Sequence, residues 1–393
     1  MNDKTKKEKR TKDNRNSLIK IIGMSLLIVL FILAVAFVAS DVLGKKNINK
    51  GDASESGSVF FSVPADNVVS MQPYGGDGLV VLTDTAVKYF DVYGNSIGSN
   101  EYNYANPVMR TAGKNLVLFD RGAYSLRLEK NGAGFADLSL ESPVTTATVG
   151  KKGNYAYVLN ANEGFQSHLY VYNFRGAMQY EWGCSSDYIL DIALSENGKY
   201  ACASVLGADN AEYFSEVILF RFNSSEPVYS VKLPEIAVYS VSFIAGKKVI
   251  AYTDKGVYLF EGDGSYEIKQ RYTPGEMKLS FAEQNAMGCT LINQFGNEKN
   301  VLFTIFSKNY KNEFTKEYTQ SVKCVHSSSG YAAVAFKDSV KIFNSEGSIV
   351  GTLRLNDICL DCKLAGRNVY VLMSDGIRSF GVTSGGPETD TQT

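Results

Sequence analysis

The sequence predicts an all-β fold, a β-propeller of about eight blades closed by an N-terminal strand and preceded by a single transmembrane helix. Three observations predict it. Short apolar runs return at intervals of about 36 to 49 residues, a period typical of four-stranded propeller blades. A turn precedes each run, and residues 21–39 contain no charged side chain. The 24 Tyr, 22 Phe and 35 Gly against eight Pro agree with many short strands joined by glycine turns.

The predicted transmembrane helix is residues 21–39, IIGMSLLIVLFILAVAFVA. At 1.5 Å per residue it would span about 28 Å, close to the hydrocarbon thickness of a bilayer. Eight Lys or Arg precede it and only three lysines follow closely, so the positive-inside rule places the N-terminus in the cytoplasm. We expect an uncleaved anchor in the cytoplasmic membrane with the propeller outside the cytoplasm. A cleaved signal peptide, cut after residues 34–36 or 38–40, is the alternative.

The other segments follow from composition. Residues 1–20 are predicted to be a basic cytoplasmic tail, residues 40–57 a flexible spacer, residues 58–383 the propeller and residues 384–393 a disordered tail. The first twenty residues hold eight basic and three acidic side chains, while the whole chain has a net charge of −1. The propeller is therefore acidic overall, and we expect no nucleic-acid partner.

The repeated apolar runs are interpreted as the second strands of the blades. A strand covered by neighbouring blades on both faces reads as a near-continuous apolar run. The runs begin at Leu79, Asn115, Tyr155, Tyr200, Val249, Gly288, Tyr331 and Val369. The strands that follow them, such as VKYFDVYG from Val87, are predicted to be more polar. An open β-sandwich is the alternative, but it would not need so regular a period.

The last repeat, from Ile358, has only three predicted strands. SVFFSV, residues 58–63, lies before the first complete blade and has no place in it. We predict that this N-terminal strand completes the C-terminal blade, because that pairing closes the ring and removes an exposed edge. Insertions in the third, fourth and sixth blades leave the exact number of blades open.

Residues that could carry chemistry are few. The chain has two histidines, His168 and His326, and for each a structural role is the favoured interpretation. It has no GxGxxG, Walker, HExxH or EF-hand motif. We predict no catalytic residue, no cofactor and no metal site. The alternatives are a polysaccharide lyase or glycosidase with a carboxylate pair at the channel mouth, and a membrane-anchored sensor.

Six cysteines lie in the predicted propeller. Cys359 and Cys362 form a CxxC motif, which we place on a strand, where positions i and i+3 point to opposite faces. Inner strands of consecutive blades lie side by side, so the candidate disulfide is Cys324 with Cys359 or with Cys362. Free thiols throughout are the alternative.

Two kinds of connection between the second and third strands stand out. Aspartates recur at these corners, and we interpret them as turn caps in preference to a ring of ligands; they are Asp84, Asp254, Asp338 and Asp375. Residues 160–168 and 207–216 are longer than the other corners. Because loops on rigid scaffolds often carry function, we predict partner-binding loops there. Their candidate residues are Phe165, His168, Tyr213 and Phe214. Tolerated insertions without a function are the alternative.

The basic tail, the apolar anchor and the repeats together resemble an uncharacterised family of membrane-anchored propellers, with a domain of unknown function, from Gram-positive and mainly clostridial bacteria. SENGKY at Ser195 also resembles the turn of YVTN-type surface propellers. More loosely, the blade number is similar to that of BamB, an envelope assembly scaffold, and of quinoprotein dehydrogenases. The single Trp, Trp182, does not supply the repeated tryptophans of the quinoproteins. The resemblance implies no catalytic residue.

We therefore hypothesise a non-catalytic binding or scaffold propeller, tethered to the cytoplasmic membrane through residues 21–39. Its expected partner is an envelope protein or a cell-wall polymer.

Overall fold

The computed structural model describes residues 58–272, 275–282, 287–294, 300–307, 310–311, 313–328 and 330–382. Within these ranges the chain forms 32 β-strands and one short 3-10 helix, Ala65–Asn67. The strands make eight four-stranded antiparallel sheets. The predicted tail, transmembrane helix, spacer and C-terminal tail lie outside the described residues. Among the residues that are described, no helix has the length and apolar character needed to cross a membrane.

Blades are numbered along the chain, and the strands of each blade are a to d in the order in which they pair, starting from the central cavity. The strands of blades 1 and 2 are β2 Val68–Tyr74, β3 Gly78–Thr83, β4 Ala86–Phe90, β5 Ser96–Glu101, β6 Pro107–Ala112, β7 Asn115–Asp120, β8 Ser125–Lys130 and β9 Ala133–Ser139. Those of blades 3 and 4 are β10 Val144–Val149, β11 Tyr155–Asn162, β12 Phe165–Tyr172, β13 Met178–Cys184, β14 Tyr188–Leu194, β15 Tyr200–Asp209, β16 Glu212–Arg221 and β17 Tyr229–Pro234.

The remaining blades follow the same order of pairing. Blades 5 and 6 contain β18 Val238–Ala245, β19 Lys248–Thr253, β20 Gly256–Phe260, β21 Tyr266–Arg271, β22 Gly275–Ala282, β23 Gly288–Gln294, β24 Val301–Phe306 and β25 Glu313–Tyr318. Blade 7 contains β26 Cys324–Ser328, β27 Tyr331–Ala335, β28 Ser339–Asn344 and β29 Ile349–Arg354. Blade 8 contains β30 Asp361–Ala365, β31 Asn368–Met373, β32 Gly376–Gly381 and β1 Ser58–Ser62.

The eight apolar runs recognised in the sequence are the b strands of the eight blades, as predicted. All six residues of β3 and of β7 are buried. The c strands carry polar residues, as predicted, but they are largely buried: all five residues of β20 and four of the five in β4 are covered. The reason is that the d strands shield them from solvent. The d strands β5 and β9 are the ones that expose alternate residues.

The predicted closure by the N-terminal strand is confirmed. β1 pairs with β32 in antiparallel register, with Ser58 opposite Ser379 and Ser62 opposite Gly376. A β-carbon at Gly376 would lie 2.3 Å from the Phe61 carbonyl oxygen, so the close approach of the two strands requires glycine. Blade 8 is thus built from both ends of the propeller sequence.

Candidate functional site

A central cavity of about 830 Å³ lies at the a strands. Its charged lining includes Arg110, Asp191, Asp361 and Lys363. The Lys363 ammonium lies 2.8 Å from both carboxylate oxygens of Asp361. Burial raises the pKa of the Asp361 carboxyl group, and Lys363 opposes that shift. Burial alone would lower the pKa of Lys363, but Asp361 reverses the effect and the pKa is raised.

The two cavity carboxylates lie on blades 4 and 8, which are opposite one another in a ring of eight. Asp191 Oδ1 is 2.8 Å from an Arg110 guanidinium nitrogen, and Asp361 is paired with Lys363. Glycoside hydrolysis uses two carboxyl groups that flank one substrate bond, one of them protonated. Here each carboxylate instead has its own cation, so this cavity offers no specific support for the glycosidase alternative.

The connections of the propeller emerge on two faces. In blade 4 the register places Tyr188, at the start of strand a, opposite Leu206, near the end of strand b. Ser215 of strand c pairs with Leu206 and with Leu233 of strand d. The b–c turns and the d–a connections therefore lie at the same end of the sheet. We call this end of the blades the bc face, and the end with the a–b and c–d turns the ab face.

Exposed large hydrophobic side chains lie on both faces. Of the described residues in this class, those on the bc face are Val69, Tyr124, Tyr188, Leu190, Tyr213, Tyr239, Ile358 and Leu360. Those in c–d turns or near the starts of d strands, toward the ab face, are Tyr93, Ile97, Phe135, Phe174, Met178 and Tyr266. Four of the bc-face side chains belong to the adjacent blades 4 and 5. We call Tyr188, Leu190, Tyr213 and Tyr239 the blade 4–5 patch.

Hydrogen bonds hold one member of the blade 4–5 patch, Tyr213, in place. The Tyr213 hydroxyl lies 3.2 Å from Asp254 Oδ2, and the backbone N–H of Ala237 donates to Asp254 Oδ1 at 2.8 Å. Asp254 thus links the b–c hairpin of blade 4 with the first strand of blade 5. These contacts differ from the predicted turn caps: Asp254 accepts from a connection outside its own turn, and Asp375 forms an ion pair with Arg378 at 2.7 Å.

The same face is acidic. Within its described b–c turns and d–a connections, the basic residues are Arg121, Lys255, Lys323 and Lys337. The acidic residues there are Asp66, Asp84, Glu141, Glu163, Asp187, Glu235, Asp254, Asp338, Asp357 and Asp375. Exposed aromatic groups therefore lie within a field of negative charge.

The predicted partner-binding loops are not loops. Residues 160–168 and 207–216 extend the b and c strands into long hairpins with turns of only two residues. Consequently the candidate side chains alternate between solvent and the neighbouring strand. Tyr213 is 41% exposed, whereas Phe165 and Phe214 are half-buried and His168 is 1% exposed. The prediction that all four residues contact a partner is wrong for His168, because its ring is covered.

His168 lies in a polar cluster of blade 3. Its Nε2 is 2.9 Å from Glu181 Oε1, and its Nδ1 is 3.7 Å from Glu163 Oε2 and 3.0 Å from the Tyr170 hydroxyl. This is the group of potential metal ligands found among the described residues. The two carboxylates approach different ring nitrogens, so the cluster orients the ring and does not converge on one point where a cation would bind.

The cysteines also differ from the prediction. Cys359 precedes β30 and is not part of the strand, so the CxxC motif does not place its thiols on opposite faces. Cys324, Cys359 and Cys362 are all buried in the same apolar cluster between blades 7 and 8. The six cysteines are free thiols, and Cys324 Sγ is 3.1 Å from Cys362 Sγ.

Solved structures with the same fold include BamB from Moraxella catarrhalis, which is 11% identical, with a TM-score of 0.51 over 84% of this chain and 100% of that one. The C-terminal WD40 domain of Sif2 is 12% identical, with a TM-score of 0.56 over 84% of this chain and 98% of that chain. A eukaryotic initiation factor is 12% identical, with a TM-score of 0.54 over 84% and 88% of the two chains. At these identities the likeness shows the fold alone.

No curated protein matches the sequence. A family of unknown function, DUF5711, matches residues 60–378, which is nearly the whole propeller.

Proposed function

Since the chain belongs to DUF5711, a family whose function is unknown, we propose a function from its geometry: a non-catalytic binding scaffold whose bc face docks a protein with a basic, partly apolar surface. The observation that carries this proposal is the blade 4–5 patch, an exposed aromatic surface surrounded by acidic turns.

The composition of the patch suits a protein interface. Tyr188 is 53% exposed, Tyr213 41%, Leu190 38% and Tyr239 36%. Tyrosines are enriched at the centres of interfaces because they bury much area and still offer a hydroxyl group. All four side chains project from strands, and the Tyr213 hydroxyl is held by Asp254. A surface ordered in advance loses little conformational entropy on binding.

Charge supports one chemical class of partner. Asp187, Glu235 and Asp254 lie in the connections next to the patch. Complementary potentials steer encounter and disfavour partners of like charge. A basic protein surface therefore fits this face. An anionic cell-wall polymer would be repelled by it, so of the two partner classes expected from the sequence we favour a protein.

Tethering belongs to the same proposal. We propose that residues 21–39 anchor the chain in the cytoplasmic membrane with the propeller on the outer side. The support is the uncharged apolar run and the basic residues before it. Cell fractionation should recover the full chain with membranes, and a chain lacking residues 1–39 in the soluble fraction. A membrane-impermeant maleimide should label Tyr93→Cys in intact cells; labelling only after lysis would overturn the orientation.

The binding proposal is tested by site-specific photocrosslinking in cells. A photoreactive amino acid at Tyr213 should give a discrete protein adduct, whereas the same group at Tyr93, which is 85% exposed on the ab face, should not. The peptide crosslinked to Tyr213 should be rich in Lys and Arg, and the adduct should weaken at high salt. Replacing Tyr188 and Tyr239 by alanine should lower its yield about tenfold. Equal adducts from both positions, or an adduct from Tyr93 alone, would refute the proposal.

A further inference from the structure

We propose that Cys324 and Cys362 form a reversible disulfide that joins blade 7 to blade 8 beside the central cavity. The proposal does not depend on the binding function of the bc face.

Strand alternation brings the two thiols together. Val325 packs with blade 6, so its neighbour Cys324 on β26 points the other way, toward blade 8. On β30, Ala365 packs with blade 1, whereas Cys362 points toward blade 7. The two inner strands lie next to each other, and the Sγ atoms are 3.1 Å apart. Little movement separates this contact from a bond of about 2.05 Å.

The surroundings favour reaction at Cys324. All three cysteines are buried. Hydrogen bonds from the Cys359 and Cys362 thiols, with a smaller contribution from the nearby Lys363 ammonium, hold the pKa of the Cys324 thiol below its usual range. Since the thiolate is the nucleophile in disulfide exchange, Cys324 is the attacking group.

The oxidant is a low-molecular-weight disulfide, RSSR. The Cys324 thiolate attacks one sulfur, forms a mixed disulfide and releases RS⁻. The Cys362 thiol then loses its proton and attacks Cys324 Sγ, which releases the second RS⁻. The two protein thiols lose two electrons, the oxidant gains them, and the two protons lost by the protein are available to the released thiolates.

The alternative to a disulfide is that the three neighbouring thiols bind one soft metal cation. Side chains that share one metal ion bring their ligand atoms close together. Among the described residues, a group of three with ligand atoms mutually within 4.8 Å is formed by Glu163, His168 and Glu181, and the three thiols do not form such a group. Sulfur ligands around one zinc ion lie closer together than that. The geometry therefore points to a sulfur–sulfur pair, with Cys359 as a third thiol able to compete for Cys324.

Peptide mapping distinguishes the pairs. The full-length protein is incubated with oxidised glutathione, alkylated and digested with trypsin and Asp-N without reduction. Asp-N cuts before Asp361 and so separates Cys359 from Cys362. We expect a linked peptide pair containing Cys324 and Cys362, four alkylated thiols in place of six, and a melting temperature that falls by about 5 °C on reduction.

Two serine variants serve as a matched pair. Cys359→Ser should keep the link and the reductant-sensitive melting temperature, whereas Cys362→Ser should lose both. If Cys362→Ser does not fold, the wild-type digest decides the question by itself. A pair containing Cys324 and Cys359 as the main product, six alkylated thiols after oxidation, or uptake of one zinc ion that protects all three thiols would each overturn the proposal.

Discussion

The Arg110 guanidinium lies 2.8 Å from Asp191 Oδ1, so a side chain of blade 2 reaches past blade 3 to the inner strand of blade 4. The other oxygen of Asp191 accepts a hydrogen bond from the backbone N–H of Val241, in blade 5, at 3.0 Å. One carboxylate, which is 5% exposed, therefore connects three blades around the cavity. Such contacts connect the inner strands of different sheets.

Replacing Asp191 should destabilise the propeller. Asp191→Ala leaves the Arg110 guanidinium without its ion-pair partner and the Val241 N–H without its acceptor, and we expect the free energy of unfolding to fall by about 2 kcal/mol. Asp191→Asn keeps an acceptor and should cost about half as much. Lys151→Ala, which breaks the exposed pair with Glu196, is the control and should cost less than about 0.5 kcal/mol. Urea denaturation measures all three; equal losses for Asp191→Ala and Lys151→Ala would contradict this role.

The aromatic side chain of Phe60, in β1, packs between blades 8 and 1. Phe60 is 8% exposed, and its ring centroid lies 4.7 Å from that of Tyr370 and 5.4 Å from that of Phe90. Phe60→Ala should lower the free energy of unfolding by about 3 kcal/mol, because it leaves a cavity between blades 8 and 1. Tyr93→Ala removes a side chain that is 85% exposed and should change it by less than about 0.5 kcal/mol. Thermal denaturation that does not separate these two variants would show that β1 contributes little.

The repeated features of the fold could be predicted from the sequence, because burial acts on every blade in the same way. The second strand of each blade is covered on both faces. It therefore consists mainly of apolar residues, in the eight runs of which the first begins at Leu79 and the last at Val369. The role of residues 58–63 was predictable because a ring with an unpaired edge is costly.

Features that occur once could not be predicted in this way. Arg110 and Asp191 are about eighty positions apart on non-adjacent blades, and their pairing leaves no periodic trace in the sequence. Cys359 was assigned to a strand because the length of a d–a connection is not encoded in the apolar pattern. The blade 4–5 patch was predicted only through Tyr213, since Tyr188, Leu190 and Tyr239 lie on inner strands that are otherwise mostly covered.

A second buried carboxylate joins blades 1 and 2. The Tyr89 hydroxyl donates to Glu129 Oε2 at 2.5 Å, and the Asn100 amide donates to the same atom at 2.7 Å. Burial and the Glu129 charge raise the pKa of Tyr89 well above its usual range, so the phenol keeps its proton and remains a donor.

Tyr89→Phe removes one of these donors from a carboxylate that is only 2% exposed. We expect the free energy of unfolding to fall by about 2 kcal/mol, because hydrogen bonds to buried charges are stronger than neutral ones. Tyr157→Phe is the control, since its hydroxyl lies 3.3 Å from a neutral partner, the Tyr172 hydroxyl, and its loss should cost less than about 1 kcal/mol. When Glu129 is already replaced by glutamine, Tyr89→Phe should lower the free energy of unfolding by less than it does in the wild type. A cost unchanged by Glu129→Gln would mean that the charge of Glu129 is not what Tyr89 stabilises.

His326 should make the stability of the propeller sensitive to acid. Its ring is 1% exposed between blades 7 and 8, and Nδ1 accepts a hydrogen bond from the Leu364 N–H at 3.1 Å. Burial, with a smaller contribution from Lys363, holds the pKa of His326 well below its usual range. The folded protein therefore keeps the ring neutral, while the unfolded chain takes up a proton below about pH 6.5. Stability contributed by the neutral ring is fully present above that pH and is lost as the pH falls through it.

Between pH 7.5 and 5.5 the free energy of unfolding of the wild type should fall by about 1.4 kcal/mol more than that of His326→Gln. Glutamine keeps an acceptor near the Leu364 N–H but does not titrate, and carboxyl groups elsewhere affect both proteins equally and cancel in the comparison. Urea denaturation at the two pH values measures the difference. Equal losses in both proteins would show that His326 is protonated as easily in the folded chain as in the unfolded one. A larger loss in the variant would show that folding raises the pKa of His326, the opposite of what we expect.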